Sequence, residues 1–248
     1  MNTNSLIISA QESYVDAAKL IVAEGSLKNK SIQIVNIEDI QIDPDQIKGV
    51  SSLGNVYFIT NHPAVYTIAA ILKLQDYKVI NCDYLVKQNS KIYIQEQLRL
   101  AGLPVPKHGF ILGKLNESLA KQAVYLKSFE HTRFSRSFSH LENLDRYFAS
   151  VRNGGLYYQE EDVTNPNTVE YKLYSVYGTL ISPENMPIKE LISREVSKIA
   201  NELDLEAFSV DVIIDQVTDE HWIIDVNPAS SFYGSNQART EFINRLMV

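Results

Sequence analysis

The chain has 248 residues, 45% of them hydrophobic and 21% charged, proportions of a globular protein with room for one large or two to three small domains. Its net charge of −7 argues against a general nucleic-acid binder. One cysteine, Cys82, excludes an intramolecular disulfide, and no signal-peptide pattern or apolar run of ~20 residues is present, so a cytoplasmic protein with no membrane span is expected.

Strand and helix signals alternate at the start. Leu6–Ser9 reads as a short strand, Tyr14–Ala23 as a helix and Ser31–Val35 as a strand. Val56–Thr60 (strand), Pro63–Leu74 (helix) and Lys78–Asn81 (strand) follow. Such alternation predicts a small parallel α/β layer over residues 1–84. Neither GxGxxG nor GxxxxGK[ST] follows any of these strands, so a dinucleotide fingerprint and a P-loop are both absent.

Residues 85–160 are expected to form a small central domain. A helix over 91–102 ends at Gly102, a suitable residue just past a helix, and Leu103-Pro-Val-Pro106 then extends the chain. A helix at Asn116–Gln122 and a strand at Ala123–Ser128 follow, then a polar, basic loop over Glu130–Arg136. Leu141–Val151 reads as a helix stopped by Asn153-Gly-Gly155, before a strand at Leu156–Gln159.

Residues 161–248 complete the chain with a strand at Val169–Tyr177, a turn near Gly178, and helices at Ile188–Leu203 and Gln237–Met247. Between those helices lie Phe208–Ile214 and Trp222–Pro228, two strands joined by a polar turn. A symmetric hairpin sets Asp211 against Asp225. Strand alternation then projects Asp211, Asp225 and Asn227 from one face, with Val210, Val212, Ile214, Trp222, Ile224 and Val226 on the other. Opposed carboxylates repel, so two aspartates beside an amide oxygen call for a cation, and an oxygen-only donor set suits Mg²⁺. The alternative is a solvated sheet face with both carboxylates in water.

Other positions add to this set. Lys127 ends an apolar strand, where a lysine can be held over a phosphate, and Gln159-Glu160-Glu161-Asp162 follows another strand, offering a backbone edge and carboxylates to a nucleobase and ribose. No HExxH, CxxC or GxSxG pattern occurs, so a zinc site or serine nucleophile is not supported. His62 reads as a loop histidine without a catalytic role.

In order, these signals resemble the ATP-grasp superfamily, in the branch of the ribosomal-protein S6 glutamate ligase and the graspetide macrocyclases. The matching pieces are Asn81, Lys91 before the helix ending AGLPVP, VYLK at Lys127, LYYQEEDV, VEYKLYSVYG, FSVDVIID and WIIDVNPASSF. The resemblance implies an α/β (α+β) ATP-grasp fold with an N-terminal layer, a central lid and a C-terminal antiparallel sheet carrying the metal hairpin. It also implies ATP and Mg²⁺ as cofactors. Lys91 and Lys127 would bind phosphates, Gln159 and Glu160 would flank adenine, Glu161 or Asp162 would hold the ribose, and Asp211, Asp225 and Asn227 would hold the metal. Lys172 stands where the family carries arginine, and with Lys127 would stabilise phosphoryl transfer. The implied activity is carboxylate–amine ligation through an acylphosphate on a small-molecule or peptide carboxylate, with an amine acceptor.

Three departures qualify the resemblance. The segment after Lys127 has no glycine, which leaves phosphate contacts to side chains such as His131, Arg133 and Arg136, or else makes it an ordinary basic loop. The segment after Tyr177 is short, so a second copy or a partner protein could complete the acceptor site. Asp225 replaces the usual glutamate. A small-molecule kinase with the same nucleotide site, and a non-catalytic remnant of the fold, are the other readings.

Overall fold

The computed structural model describes residues 5–9, 12–43, 46–48, 54–60, 62, 64–83, 90–111, 115, 123–128, 135–139, 141–151, 157–184 and 186–246. The N-terminal region runs β1 (Ser5–Ser9), α1 (Glu12–Leu27), β2 (Ile32–Asn36), β3 (Gln41–Asp43), β4 (Gln46–Lys48), β5 (Asn55–Ile59), α2 (Ala64–Leu74) and β6 (Lys78–Val79). Strands β2-β1-β5-β6 form a parallel sheet in that order, and β3 and β4 make a separate antiparallel pair. Parallel neighbours need a crossover, which α1 supplies between β1 and β2 and α2 between β5 and β6. All of Val56, Tyr57, Phe58 and Ile59 are buried, as expected of an inner strand covered on both faces.

Next come α3 (Lys91–Leu100), β7 (His108–Phe110), β8 (Val124–Ser128), β9 (Ser135–Phe138), α4 (Leu141–Val151) and β10 (Tyr157–Glu161). Gly102 adopts φ +74°, so α3 ends where the left-handed residue turns the chain. Antiparallel β7-β10-β8-β9 carry α4 against a separate small core of Val124, Leu126, Phe138, Leu144 and Phe148.

The C-terminal region is β11 (Thr168–Val176), β12 (Thr179–Ile181), α5 (Lys189–Leu203), β13 (Ala207–Asp215), β14 (His221–Asn227) and α6 (Asn236–Leu246). Its antiparallel sheet runs β12-β11-β13-β14. Ile192, Val196, Ile199 and Leu203 form the buried stripe of α5, and Asp204 ends the helix in the left-handed region with its N–H on the Ala200 carbonyl. This stripe joins Val210, Val212 and Val226, together with Phe58, Val65 and Leu98, in one core. The first and third sheets are thus joined by a continuous interior. On α6, Ala238, Phe242, Ile243 and Leu246 are fully buried and form its packing face.

Several sequence expectations are corrected. Ser135 and Arg136 belong to strand β9 rather than to a loop, because β9 pairs with β8 from Lys127↔Ser135 to Val124↔Phe138. Gln159, Glu160 and Glu161 lie within β10 rather than after a strand. The β13–β14 hairpin has the anticipated turn, with Asp215 and Glu220 hydrogen-bonded, and the anticipated Asp211↔Asp225 pair. A bulge at Asp211/Val212 then shifts the register, so Val212 faces Ile223. One extra residue reverses the alternation. Ile223 enters the core, while Trp222 and Ile224 are half-buried outside it. The helix expected at 116–122, together with His131, Arg133 and Asn153-Gly-Gly155, lies outside the described residues.

Candidate functional site

Across the C-terminal sheet, Lys172 of β11 lies opposite Asp211 of β13, which lies opposite Asp225 of β14. Lys172 Nζ donates to Asp211 Oδ1 at 2.6 Å, and Lys91, the first residue of α3, places Nζ 3.2 Å from Asp225 Oδ1. The result is one row of charges, plus-minus-minus-plus. Burial pushes the Asp211 carboxyl up; Lys172 opposes that shift and Asp225 adds to it, leaving a raised pKa. Burial alone would lower the Lys172 ammonium, but Asp211 outweighs it and the net shift is upward.

One step along the strands, Ser209 faces Asn227. Among the described residues Ser209 Oγ is buried without a hydrogen-bond partner, whereas Asn227 Oδ1 accepts from the Ala229 N–H at 2.9 Å and keeps a second lone pair. Two opposed carboxylates, an amide oxygen and an orphan hydroxyl are hard oxygen donors, and they fit a magnesium ion that keeps part of its water shell. Among the described residues no group of three His, Cys, Asp or Glu side chains is placed to hold a metal, so an all-protein cage is not what this donor set offers.

Beside this row, a cavity of about 190 Å³ opens between the central and C-terminal sheets. Tyr125, Lys127, Glu160 and Glu161 line it from one side; Glu170, Ile213 and Ile224 line it from the other. Lys127 pairs with the buried Glu160 carboxylate and lies 3.4 Å from the Ile224 carbonyl. Burial raises the Glu160 pKa, and Lys127 offsets part of that rise. Among the described residues Glu160 Oε2 has no hydrogen-bond partner.

The remaining sequence candidates separate. Glu161 lines the cavity, and its N–H donates to the Lys107 carbonyl at 2.7 Å. Gln159 is 0% exposed and is not part of the cavity lining. Gln159 and Glu160 pair with β7 on one side and β8 on the other, so neither presents the free backbone edge expected of them. Asp162 is occupied in a turn, accepting from Thr164 N and from Ser137 Oγ. Arg136 does not reach the phosphate side. It stands opposite Leu126, on the α4 side of the sheet, with its guanidinium 4.9 Å from the Tyr147 ring. Lys127, one residue further, points to the other face because strand side chains alternate.

Asn81 and His62 take structural roles. Asn81 (φ +58°, 1% exposed) donates to the Ala207 and Pro228 carbonyls and accepts from the Glu206 and Ala207 N–H groups. Its amide completes the edge of β13 past the last β14 pair, Ser209↔Asn227. His62 Nδ1 accepts from Ala64 N at 3.2 Å, capping α2. Tyr125, Ile213 and Ile224 were missed in the sequence reading. Tyr125, two residues before Lys127, was legible from alternation, whereas Ile224 reaches the cavity side only because of the bulge.

A parallel α/β layer, a four-stranded antiparallel lid and a C-terminal antiparallel sheet, with a cleft between the last two, constitute the ATP-grasp fold. The RimK-domain ATP-grasp protein of Sphaerobacter thermophilus superimposes with a TM-score of 0.81 at 12% identity, covering 98% of this chain and 100% of that one. The D-alanine–D-alanine ligase of Coxiella burnetii gives 0.79 at 11% identity over 98% and 94% of the two chains. The ATP-grasp ligase PsnB, in complex with a minimal precursor, gives 0.72 at 11% identity over 99% of each. No protein-family model and no curated protein sequence matches the chain. Among the described residues no helix is long and apolar enough to cross a membrane.

Proposed function

We propose that this protein is an ATP- and Mg²⁺-dependent carboxylate–amine ligase built as an N-terminal domain (1–84), a lid (85–160) and a C-terminal domain (161–248). The observation that carries the reading is the Lys172–Asp211–Asp225–Lys91 row beside a cavity walled by Lys127, Glu160 and Ile224, the residue next to Asp225. A nucleotide in the cavity would place its base against Tyr125, Ile213 and Ile224 and its ribose near Glu161 or Glu170.

Lys91 and Lys127, from opposite flanks of the cleft, then bind the phosphates, and Lys172 with Lys127 stabilises charge on the transferring phosphoryl group. A magnesium ion held by Asp211, Asp225 and Asn227 would neutralise β- and γ-phosphate charge. Such an ion would share the Asp211 and Asp225 carboxylates now paired with Lys172 and Lys91, which would leave the two lysines free to contact phosphate. The substrate carboxylate attacks the γ-phosphate, ADP leaves, and an amine displaces phosphate from the acylphosphate. Similarity to ligases for a precursor peptide and for D-alanine leaves peptide and small-molecule carboxylates as the donor classes. A second copy of the chain or a partner protein completes the acceptor side beside the short Gly178–Met186 connection.

The test is a thermal-shift titration with ATP and Mg²⁺, followed by product analysis. ATP with Mg²⁺ raises the melting temperature of the wild type and not of Asp225→Ala, and turnover yields ADP with a new amide. A phosphate ester as product would make the protein a kinase. No Mg²⁺-dependent shift in the wild type would make it a non-catalytic remnant.

A further inference from the structure

We propose that the outer edge of the central sheet is a docking site for an acidic, carboxylate-rich peptide segment, gripped by Arg136 and Arg146. As the docking point of a peptide substrate it rests on the ligase reading; as a peptide-binding pocket it does not. Strand β9 ends the sheet order β7-β10-β8-β9, so among the described residues it pairs only with β8 and keeps one edge for another strand. Beside that edge, α4 presents Asn143, Arg146 and Tyr147, spaced as neighbours on one flank, while Leu144 and Phe148 enter the core. Between strand edge and helix lies a cavity of about 500 Å³, a size that accommodates several side chains.

The charges in this cavity are one-sided. The Arg136 guanidinium carbon lies 4.9 Å from the Tyr147 ring centroid and 5.7 Å from that of Phe138, cation–π contacts that hold it beside the cavity. Among the described residues neither Arg136 nor Arg146 has an ion pair or hydrogen bond, and no carboxylate lines the cavity. This occurs in a chain whose 30 acidic side chains outnumber its 23 basic ones. A net charge of −7 repels anions at a distance, so only a ligand that also matches the pocket locally gains from the two arginines. An extended peptide does so twice, pairing its backbone with the β9 edge and placing alternate carboxylates on the guanidinium groups.

The experiment is fluorescence anisotropy of a fluorescein-labelled hexaglutamate peptide with the full chain, without nucleotide. Saturable binding that weakens with salt, with no binding of a hexalysine peptide, is expected. Arg136→Ala and Arg146→Glu should each weaken it roughly tenfold or more. Arg136→Ala also removes a ring stack, so melting is followed by circular dichroism; Arg146→Glu touches no ring and keeps the test decisive if the first variant unfolds. Absence of saturable binding, unchanged binding in the folded variants, or equal displacement by inorganic phosphate or a single-stranded oligonucleotide overturns the proposal. The ATP–Mg²⁺ melting shift is read on the same preparations. A shift without peptide binding removes the docking site alone, and peptide binding without a shift removes the ligase reading alone.

Discussion

Replacing Asn81 tests how the first and third sheets are held together next to the proposed metal site. Its side chain makes four hydrogen bonds, 2.6 and 2.7 Å to the Ala207 and Pro228 carbonyls and 2.7 and 3.1 Å from the Glu206 and Ala207 N–H groups. Asn81→Ala strips all four at a site that is 1% exposed, where water cannot readily replace them. At about 1 kcal/mol net for each bond the loss is about 4 kcal/mol. The left-handed backbone (φ +58°) costs alanine about 1 kcal/mol more than glycine. Asn81→Ala should therefore lose about 5 kcal/mol and Asn81→Gly about 4, a large share of the roughly 5–15 kcal/mol typical of a domain. Urea unfolding checks this, using fluorescence of the single tryptophan, Trp222, on β14 and far-ultraviolet circular dichroism as a second probe. A loss under about 2 kcal/mol for Asn81→Ala would show that the amide is dispensable. A glycine variant less stable than the alanine one would refute the backbone argument. Pro228 directly follows Asn227, so both variants should also reduce the ATP–Mg²⁺ melting shift while the protein remains folded.

Lys127→Met leaves Glu160 buried with no cationic partner and should cost about 3 kcal/mol or more, much of which the Lys127→Met/Glu160→Gln double variant should restore; additive losses in a denaturation cycle would contradict this. His221 on β14 bonds Glu195 of α5 at 2.8 Å, and that hydrogen bond raises the histidine pKa against the opposing effect of burial. Because the folded value is raised, this contribution to stability is fully present below the unfolded pKa of about 6.5 and is lost as pH rises through the folded value. The melting temperature should fall over that interval in the wild type, and Glu195→Gln should flatten the profile. A Cβ on Gly234 would meet the Tyr174 hydroxyl at 2.7 Å, so Gly234→Ala should destabilise by about 1–3 kcal/mol. Tyr174→Phe should relieve it, as read by thermal melting; a Gly234→Ala protein as stable as wild type would place the loop elsewhere.

Part of this architecture is written locally. The α5 stripe Ile192, Val196, Ile199 and Leu203 follows helical spacing and is buried as that spacing requires. Asp211 on β13, and Asp225 and Asn227 on β14, sit at alternate positions of two strands joined by one short turn, but the Asp211↔Asp225 pair itself needs the bulge, because the pairs nearest the turn, Ile213↔Trp222 and Ile214↔His221, run one residue out of step with it. The helical stripe and the strand alternation need only the residues within one element, so the sequence by itself determined them.

The remainder depended on partners remote in the chain. A bulge at Asp211/Val212 carried Ile224 to the cavity side, Ile223 to the core and Trp222 out of it, and no spacing rule announces where a ladder slips. Arg136 looked like a phosphate ligand because it follows Lys127 closely, yet its pairing with Leu126 turns it to the opposite face. Gln159 and Glu160 lost their free backbone edge when β7 and β8 closed on both sides of β10. The opposed aspartates were a property of one hairpin. The lysines that balance them, Lys172 from the neighbouring strand and Lys91 from a helix far earlier in the chain, were brought there by tertiary packing, because electrostatic neutralisation of a buried charge depends on proximity in space rather than in sequence.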